Sequence, residues 1–244
     1  MKIKILTNIS LALMIVFFAT MPIKAQETEI IKTNIEGSGQ KIVLTVTAGK
    51  AHNHPMMAAW TEDMDGNFLQ TLYVNQSVAK GYYVYAEKSG GKWQAGEAIR
   101  PAALPVWAHS RGVKSDDGHF MPTMQNPMPD AITSATPAAG FSIYSKMNEP
   151  FSGKLKVFFE INQSWDWNEY WTNSKYPDDV DYKTSSQPSV VYSAVIDFDN
   201  PEKSYKLQPV GHGHYSGKDG KLYPDLSTIT TALEIVESVK VEIE

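Results

Sequence analysis

Short apolar stretches recur along the 244-residue chain, and most have the length of a β-strand. The segment from Lys41 to Thr47 is rich in β-branched residues, and the runs Met56 to Thr61 and Asn67 to Val74 flank an Asp-Met-Asp-Gly turn. Further runs of the same kind lie at 154–161, 190–198 and 239–243. Short strands separated by turns predict a mainly β protein with an antiparallel, immunoglobulin-like β-sandwich.

One long segment, from about residue 80 to 140, departs from this pattern because it is rich in Gly, Pro and Met. It predicts a long irregular, partly helical insertion between the sandwich strands, with one helix around 98–111 and no strong strand after Tyr85. Another helix is predicted near 224–233, after Pro224. Long irregular segments in compact domains usually carry function or are disordered.

The beginning of the chain has the pattern of a secretory signal peptide. Lys2 and Lys4 precede an apolar run, Ile9 to Thr20, and a polar stretch begins at residue 26. The run is shorter than the roughly 20 residues that span a bilayer, so cleavage after about Ala25 is expected instead. A periplasmic or secreted protein of one domain, residues 26–244, is therefore predicted, with no membrane span after cleavage.

Charge and cysteine content exclude several classes of protein. The chain has 22 basic and 27 acidic residues, and loss of Lys2, Lys4 and Lys24 with the signal peptide would leave 19 basic residues and a net charge of −8. This acidic balance argues against nucleic acid as a partner. Since the chain has no cysteine, thiolate metal sites, disulfides, a lipoprotein anchor and c-type haem attachment are excluded.

The segment 130–137, Asp-Ala-Ile-Thr-Ser-Ala-Thr-Pro, is similar to acceptor sites for covalently attached flavin in periplasmic electron-transfer subunits. Small side chains allow the backbone to approach a bound nucleotide closely, and Thr136 presents a hydroxyl that can attack phosphorus. The segment therefore predicts FMN attached through a phosphoester at Thr136.

The match to those acceptor sites is partial. Asp130, Thr133, Ala135 and Thr136 fit the pattern, whereas Ala131 and Ser134 stand where acceptor segments usually have glycine. A polar loop between two prolines remains the alternative interpretation, because Ser and Thr side chains also bond to their own backbone in turns.

The histidines include two pairs with metal-ligand spacing, His52-x-His54 and His212-x-His214. On an extended strand both imidazoles of a pair face the same side, so the two pairs could form a nitrogen-rich site for zinc, copper or iron. The alternative is that the pairs occupy turns far apart.

Tryptophans supply candidate stacking surfaces. Trp165, Trp167 and Trp171 could stack on an isoalloxazine ring or a sugar, or Trp165 and Trp167 could instead cap the core on one strand face. Trp107 shares the long insertion with Thr136 and is the residue preferred here to cover a flavin ring, ahead of Trp165.

Larger patterns of the chain resemble the DUF2271 family of bacterial exported proteins, over most of residues 40–243. The resemblance rests on Ala-Trp-x-Glu at 59–62, Arg-Pro-Ala-Ala-Leu-Pro-Val-Trp at 100–107, the segment 130–137 and Gly-Lys-Leu at 153–155. Members are often encoded near PepSY-type membrane proteins and a flavin transferase. The resemblance implies a periplasmic redox role, with a PepSY-type membrane reductase and a flavin transferase as partners.

Two functions from different classes follow from these residues. The chain lacks a Gly-x-Ser-x-Gly elbow, a phosphate-binding loop and a dinucleotide fingerprint, which argues against classical hydrolysis. The first function is an exported electron-transfer accessory that carries FMN at Thr136. The alternative is a non-enzymatic binding module for a protein, a sugar or a His-ligated metal.

Overall fold

The computed structural model describes residues 28–116 and 118–244. The predicted signal peptide and its cleavage site lie outside this part of the chain. Among the described residues, far more lie in strands than in helices, so the prediction of a mainly β protein is confirmed. None of the described helices is long and apolar enough to cross a lipid bilayer.

Two larger sheets form a β-sandwich. The first has five strands, which in spatial order are β1 (Glu29–Thr33), β8 (Phe141–Lys146), β2 (Lys41–Ala48), β13 (Val236–Ile243) and β11 (Tyr205–Lys206). The second has six strands, which in spatial order are β12 (Gln208–His212), β10 (Val190–Asp197), β9 (Lys154–Asn162), β3 (Met56–Asp63), β4 (Phe68–Asn75) and β7 (Thr133–Ser134). Most neighbours are antiparallel, whereas β1 with β8 and β4 with β7 are parallel.

The remaining elements are short. A separate two-stranded hairpin joins β5 (Tyr82–Ser89) to β6 (Lys92–Glu97). The α-helices are α1 (Gln76–Lys80), α2 (Pro105–Ser110) and α3 (Tyr182–Ser185), and single 3₁₀ turns lie at Asp130–Ile132 and Thr231–Glu234.

Apolar residues from both sheets share one core. Alternate residues of β2, Ile42, Leu44 and Val46, are buried against residues of the second sheet such as Phe159 and Ile161. This inward alternation is the expected pattern for a sheet with one face on the core.

A second apolar cluster covers the outer face of the six-stranded sheet. Ala58 and Trp60 of β3 pack there against α1 and α2, in contact with residues such as Val78 and Trp107. Because β3 is covered on both faces, its first six residues are buried without alternation. The long insertion is therefore packed on the sandwich and supplies this covering layer.

The structure confirms the six strands predicted from apolar runs and corrects the description of the insertion. A hairpin lies where no strand was predicted after Tyr85. The helix predicted at 98–111 is limited to Pro105–Ser110, because proline lacks the amide hydrogen that a helix interior needs and fits only at its first turn. The helix predicted near 224–233 is reduced to a 3₁₀ turn.

Candidate functional site

The acceptor-like segment is fixed to the edge of the six-stranded sheet. After the 3₁₀ turn at Asp130–Ile132, Thr133 and Ser134 form β7, which pairs in parallel with the last residues of β4. The Ala131 carbonyl accepts a 2.8 Å hydrogen bond from the backbone amide of Asn34. The segment is therefore ordered by backbone pairing as well as by turns.

The acceptor-like segment also makes side-chain contacts. Lys80 forms a 3.0 Å ion pair with Asp130, and the Thr133 hydroxyl donates to the Asp130 carbonyl at 3.2 Å. Ala135 is exposed and Thr136 is half-buried. Four residues predicted for the flavin site thus lie in one continuous, partly accessible strip.

The Thr136 hydroxyl is held by a buried amide. Asn75 Nδ2 donates to Thr136 Oγ1 at 2.9 Å, while Asn75 Oδ1 accepts from the Met57 backbone amide. Because a backbone N–H can only donate, this contact fixes which end of the Asn75 amide faces Thr136. The Thr136 oxygen thus accepts one hydrogen bond and keeps its own proton for another partner.

The two residues that replace glycine in the acceptor pattern fit this backbone. Ala131 and Ser134 are not among the described non-glycine residues with positive φ. Because their backbone lies outside the left-handed region that favours glycine, an ordinary side chain is accommodated there without strain.

Thr136 opens on a cleft of about 750 Å³, which we call the Thr136 cleft. This volume lies within the range of small-molecule and cofactor sites. The lining residues come from five separate stretches of chain: Asn53, His54, Met56, Gln76, Ser77, Lys80, Tyr82, Tyr83, Val84, Tyr85, Arg100, Ala135, Thr136, Ser164 and Trp165.

Exposed aromatic residues are part of the lining of the Thr136 cleft. Trp165 is 45% exposed, and its ring centroid lies 5.2 Å from that of Trp93, which in turn has an edge contact with Tyr85 at 6.5 Å. Tyr82 and Tyr85 are also exposed. A planar ligand would find large apolar faces here.

Two lining residues have a strained backbone. His54 and Trp165 have φ values of 50° and 60°, in a region that side chains other than glycine rarely occupy. Such conformations cost about 1 kcal/mol or more and are enriched at functional sites. The Trp165 backbone is held in place by a 3.3 Å hydrogen bond from its amide to the Thr184 carbonyl.

The preference for Trp107 as a flavin-covering residue is wrong. Its side chain is fully buried in the layer between α2 and the sheet, with its indole N–H donating to Thr71 Oγ1 at 3.0 Å. It therefore cannot stack on a ligand in the Thr136 cleft. Trp165, the second choice from the sequence, is the tryptophan that lines this cleft.

The proposed core-capping role of Trp165 and Trp167 is also wrong. Both residues lie outside the strands and are 45% and 43% exposed. Trp171, in contrast, is buried and packs against Tyr182 and Tyr215.

The first histidine pair does not lie on a strand. His52 Nδ1 and Nε2 lie 3.3 Å and 3.2 Å from the carbonyl oxygens of Ile235 and Pro137. His54 adopts a positive φ and contacts the side chain of its neighbour Asn53. His52 therefore connects the end of the acceptor-like segment to the residue that precedes β13.

The imidazole rings of the second pair also make contacts within the protein. His212 Nδ1 lies 2.7 Å from the Gly213 carbonyl oxygen, and its ring stacks on Tyr223. His214 Nδ1 accepts a hydrogen bond from the Ser216 amide, and burial lowers the pKa of His214. Across 28–116 and 118–244, no three His, Asp or Glu side chains are grouped so as to hold a metal ion.

Glu160 is a buried carboxylate with an internal structural role. Its oxygens accept hydrogen bonds from the Trp107 amide at 2.7 Å, the Val106 amide at 3.2 Å and the Ser189 hydroxyl at 2.6 Å. Burial raises its pKa to about 7, and the three hydrogen bonds oppose that rise. A Cβ at Gly213 would lie 2.6 Å from Ser189 Oγ, so the chain closes over this carboxylate. Glu160 therefore holds the start of α2 against the sheet.

Several residues of the Thr136 cleft were not indicated by the sequence pattern. The Tyr-Tyr-Val-Tyr run at 82–85 was a signal, because three aromatic residues in a short strand beside a glycine suggest an exposed hairpin surface. Arg100 and Asn75 gave no such signal, since their roles depend on contacts with residues distant in sequence.

Comparisons with family models, curated proteins and solved structures found no match to this chain.

Proposed function

We propose that this protein is an exported electron-transfer carrier whose Thr136 cleft holds FMN, attached to Thr136 through a phosphoester. The observation that carries the proposal is the position of Thr136, a half-buried residue in the lining of a cleft that exposed aromatic residues also line. The volume of the cleft, about 750 Å³, is ample for a ligand of this size.

Attachment would form one ester bond and break one anhydride bond. Thr136 Oγ bonds to the FMN phosphorus of a flavin dinucleotide held by the transferase. The pyrophosphate linkage breaks and AMP leaves, while the hydroxyl proton passes to a base of the transferase. Asn75 supports this role because it orients the hydroxyl oxygen without taking its proton.

The residues of the chain would bind and orient the flavin, while the flavin itself would supply the electron-transfer chemistry. Trp165 and Tyr85 offer ring faces, and the first residues of β5 contribute to the lining of the cleft. The predicted signal peptide and the sequence resemblance support a periplasmic setting, with a membrane reductase of the PepSY type as electron donor.

The proposal is tested by intact-mass measurement of the exported protein, made with and without a flavin transferase. We expect a mass increase of one FMN in the wild type and in Ser134→Ala, and none in Thr136→Ala. Ser134 is a suitable control because it lies in the same segment, at a position where acceptor segments usually have glycine, and the change removes only a hydroxyl. An unmodified wild type, in cells where a known acceptor is modified, would overturn the proposal.

The alternative is a binding module that uses the same aromatic surface without covalent chemistry. The exposed rings of Tyr82, Tyr85 and Trp165 favour this alternative, because flat aromatic faces also stack on sugar rings. It predicts a colourless protein, even with a flavin transferase present, that binds a soluble glycan more weakly after Trp165→Ala.

A further inference from the structure

Arg100 is a buried cation without an acidic partner. Its side chain is 9% exposed, and no ion pair with an aspartate or glutamate is found for it in the described part of the chain. Its Nε is buried without a hydrogen-bond partner. An unpaired buried charge is costly, so its retention requires an explanation.

The contacts that Arg100 does make hold the guanidinium in place without neutralising it. Nη2 donates to the Tyr85 carbonyl at 2.7 Å, and the guanidinium carbon lies 4.7 Å from the centroid of the Tyr83 ring. Burial lowers the pKa of Arg100. The side chain is therefore pre-positioned while its positive charge remains uncompensated.

The lining of the Thr136 cleft contains cationic residues and no carboxylate. Arg100 and Lys80 are among its lining residues, and none of those residues is Asp or Glu. Lys80 is already paired with Asp130 at 3.0 Å, which leaves Arg100 as the lining cation that lacks a carboxylate. This local charge contrasts with the net charge of −5 of the whole chain.

We propose that Arg100 is the anion-binding residue of the Thr136 cleft and pairs with the phosphate of its ligand. Naming that ligand as FMN rests on the proposed function, whereas the requirement for an anionic group follows from the unpaired guanidinium. Arginine suits this role because its planar fork of donors matches the geometry of a phosphate.

The test measures reversible binding, so that it does not depend on attachment at Thr136. The probes are FMN and riboflavin, which share the isoalloxazine ring and differ in the phosphate. Protein made without a flavin transferase, as wild type and as Thr136→Ala, is titrated into each flavin and binding is followed by flavin fluorescence. Both proteins should bind FMN at least about 10-fold more tightly than riboflavin, the size expected for a charge-assisted hydrogen bond.

Arg100→Gln should abolish the preference for FMN, and Arg100→Lys should keep part of it. The matched control is Arg111→Gln, since Arg111 is also partly buried and stacks on a tryptophan, but does not line the Thr136 cleft. This control should leave the preference unchanged. Urea denaturation of each variant verifies that it is folded.

Three results would overturn the inference: an equal affinity of wild type for both flavins, no binding of either, or an undiminished FMN preference in Arg100→Gln. If Arg100→Gln does not fold, Arg100→Lys decides the question: a reduced preference for FMN in that variant supports the inference, and an undiminished preference overturns it. Failure of covalent attachment is read separately from the intact mass, so the two proposals can fail independently.

Discussion

Asn75 Nδ2 donates a 2.9 Å hydrogen bond to the Thr136 hydroxyl, and the Met57 backbone amide fixes the same Asn75 side chain from the opposite end. Asn75 is fully buried at the end of β4, where β7 pairs with it. The position of the Thr136 oxygen is therefore set by the sheet, even though Thr136 itself lies two residues beyond the end of β7.

Replacing Asn75 by alanine is expected to lower the free energy of unfolding by about 1–3 kcal/mol, because the buried Met57 amide loses its acceptor. Thr136→Ala should cost less, since Thr136 is half-buried and Asn75 Nδ2 keeps a second acceptor, the Tyr73 hydroxyl, at 3.3 Å. Urea denaturation of both variants measures the difference. A loss for Asn75→Ala no larger than that for Thr136→Ala would contradict this prediction.

A flavin in the Thr136 cleft is expected to quench the fluorescence of Trp165, which lines that cleft. The quenching should decrease in Trp165→Phe and persist in Trp167→Phe. Trp167 is a close control because it is 43% exposed, against 45% for Trp165, and lies outside the cleft lining. Steady-state emission with and without flavin gives the comparison, and equal quenching in both variants would place the ligand elsewhere.

His52→Ala is expected to loosen the end of the acceptor-like segment, because His52 Nε2 contacts the Pro137 carbonyl oxygen and Nδ1 contacts that of Ile235. Hydrogen exchange followed by mass spectrometry should show faster exchange in peptides covering 133–137. His54→Ala, which removes only a contact with the neighbouring Asn53 side chain, is the control. Unchanged exchange in His52→Ala would contradict this anchoring role.

Stability should depend on pH through Glu160. Burial raises its pKa from 4.5 to about 7, so the folded state binds the proton more tightly than the unfolded state. This contribution is complete below about pH 4.5, is lost as pH rises through about 7, and is constant above that. The expected loss is up to about 3 kcal/mol.

The measurement is the free energy of urea unfolding between pH 5 and 8 for wild type and Glu160→Gln. The wild type should lose stability over this range relative to the variant, whose side chain does not titrate. Comparing the two proteins removes the contributions of other groups, including His214, whose lowered pKa acts in the opposite direction. Parallel pH profiles would show that the pKa of Glu160 does not change on folding.

The strands could be predicted where short apolar runs in the sequence correspond to segments that the fold buries. In the strand Lys41–Ala48, alternate residues from Ile42 to Val46 meet the core, although Val43 between them is buried too. The turn before Phe68 is stabilised by the Asp63 side chain, which accepts from the Asn67 backbone amide at 2.8 Å. The hairpin β5–β6 was missed because its second strand is mostly exposed and polar, so burial left no apolar pattern in it.

The site could be predicted only in part, because side-chain chemistry was visible and its placement was not. The sequence indicated Thr136 and Trp165 as ligand-facing residues, but it preferred Trp107 on the ground of proximity along the chain. Trp107 is buried because α2 turns that residue towards the sheet, where Glu160 accepts its backbone N–H. Such tertiary contacts carry no local signature.

The Thr136 cleft is assembled from stretches near residues 53, 80, 100, 135 and 164, which come together only when the sandwich has formed. A ligand that needs several of these stretches therefore binds the native chain and not the unfolded one. By mass action such a ligand would raise the denaturation midpoint, by an amount that grows with the logarithm of its free concentration. For this protein, the occupancy of the cleft by a ligand and the free energy of unfolding are therefore thermodynamically linked.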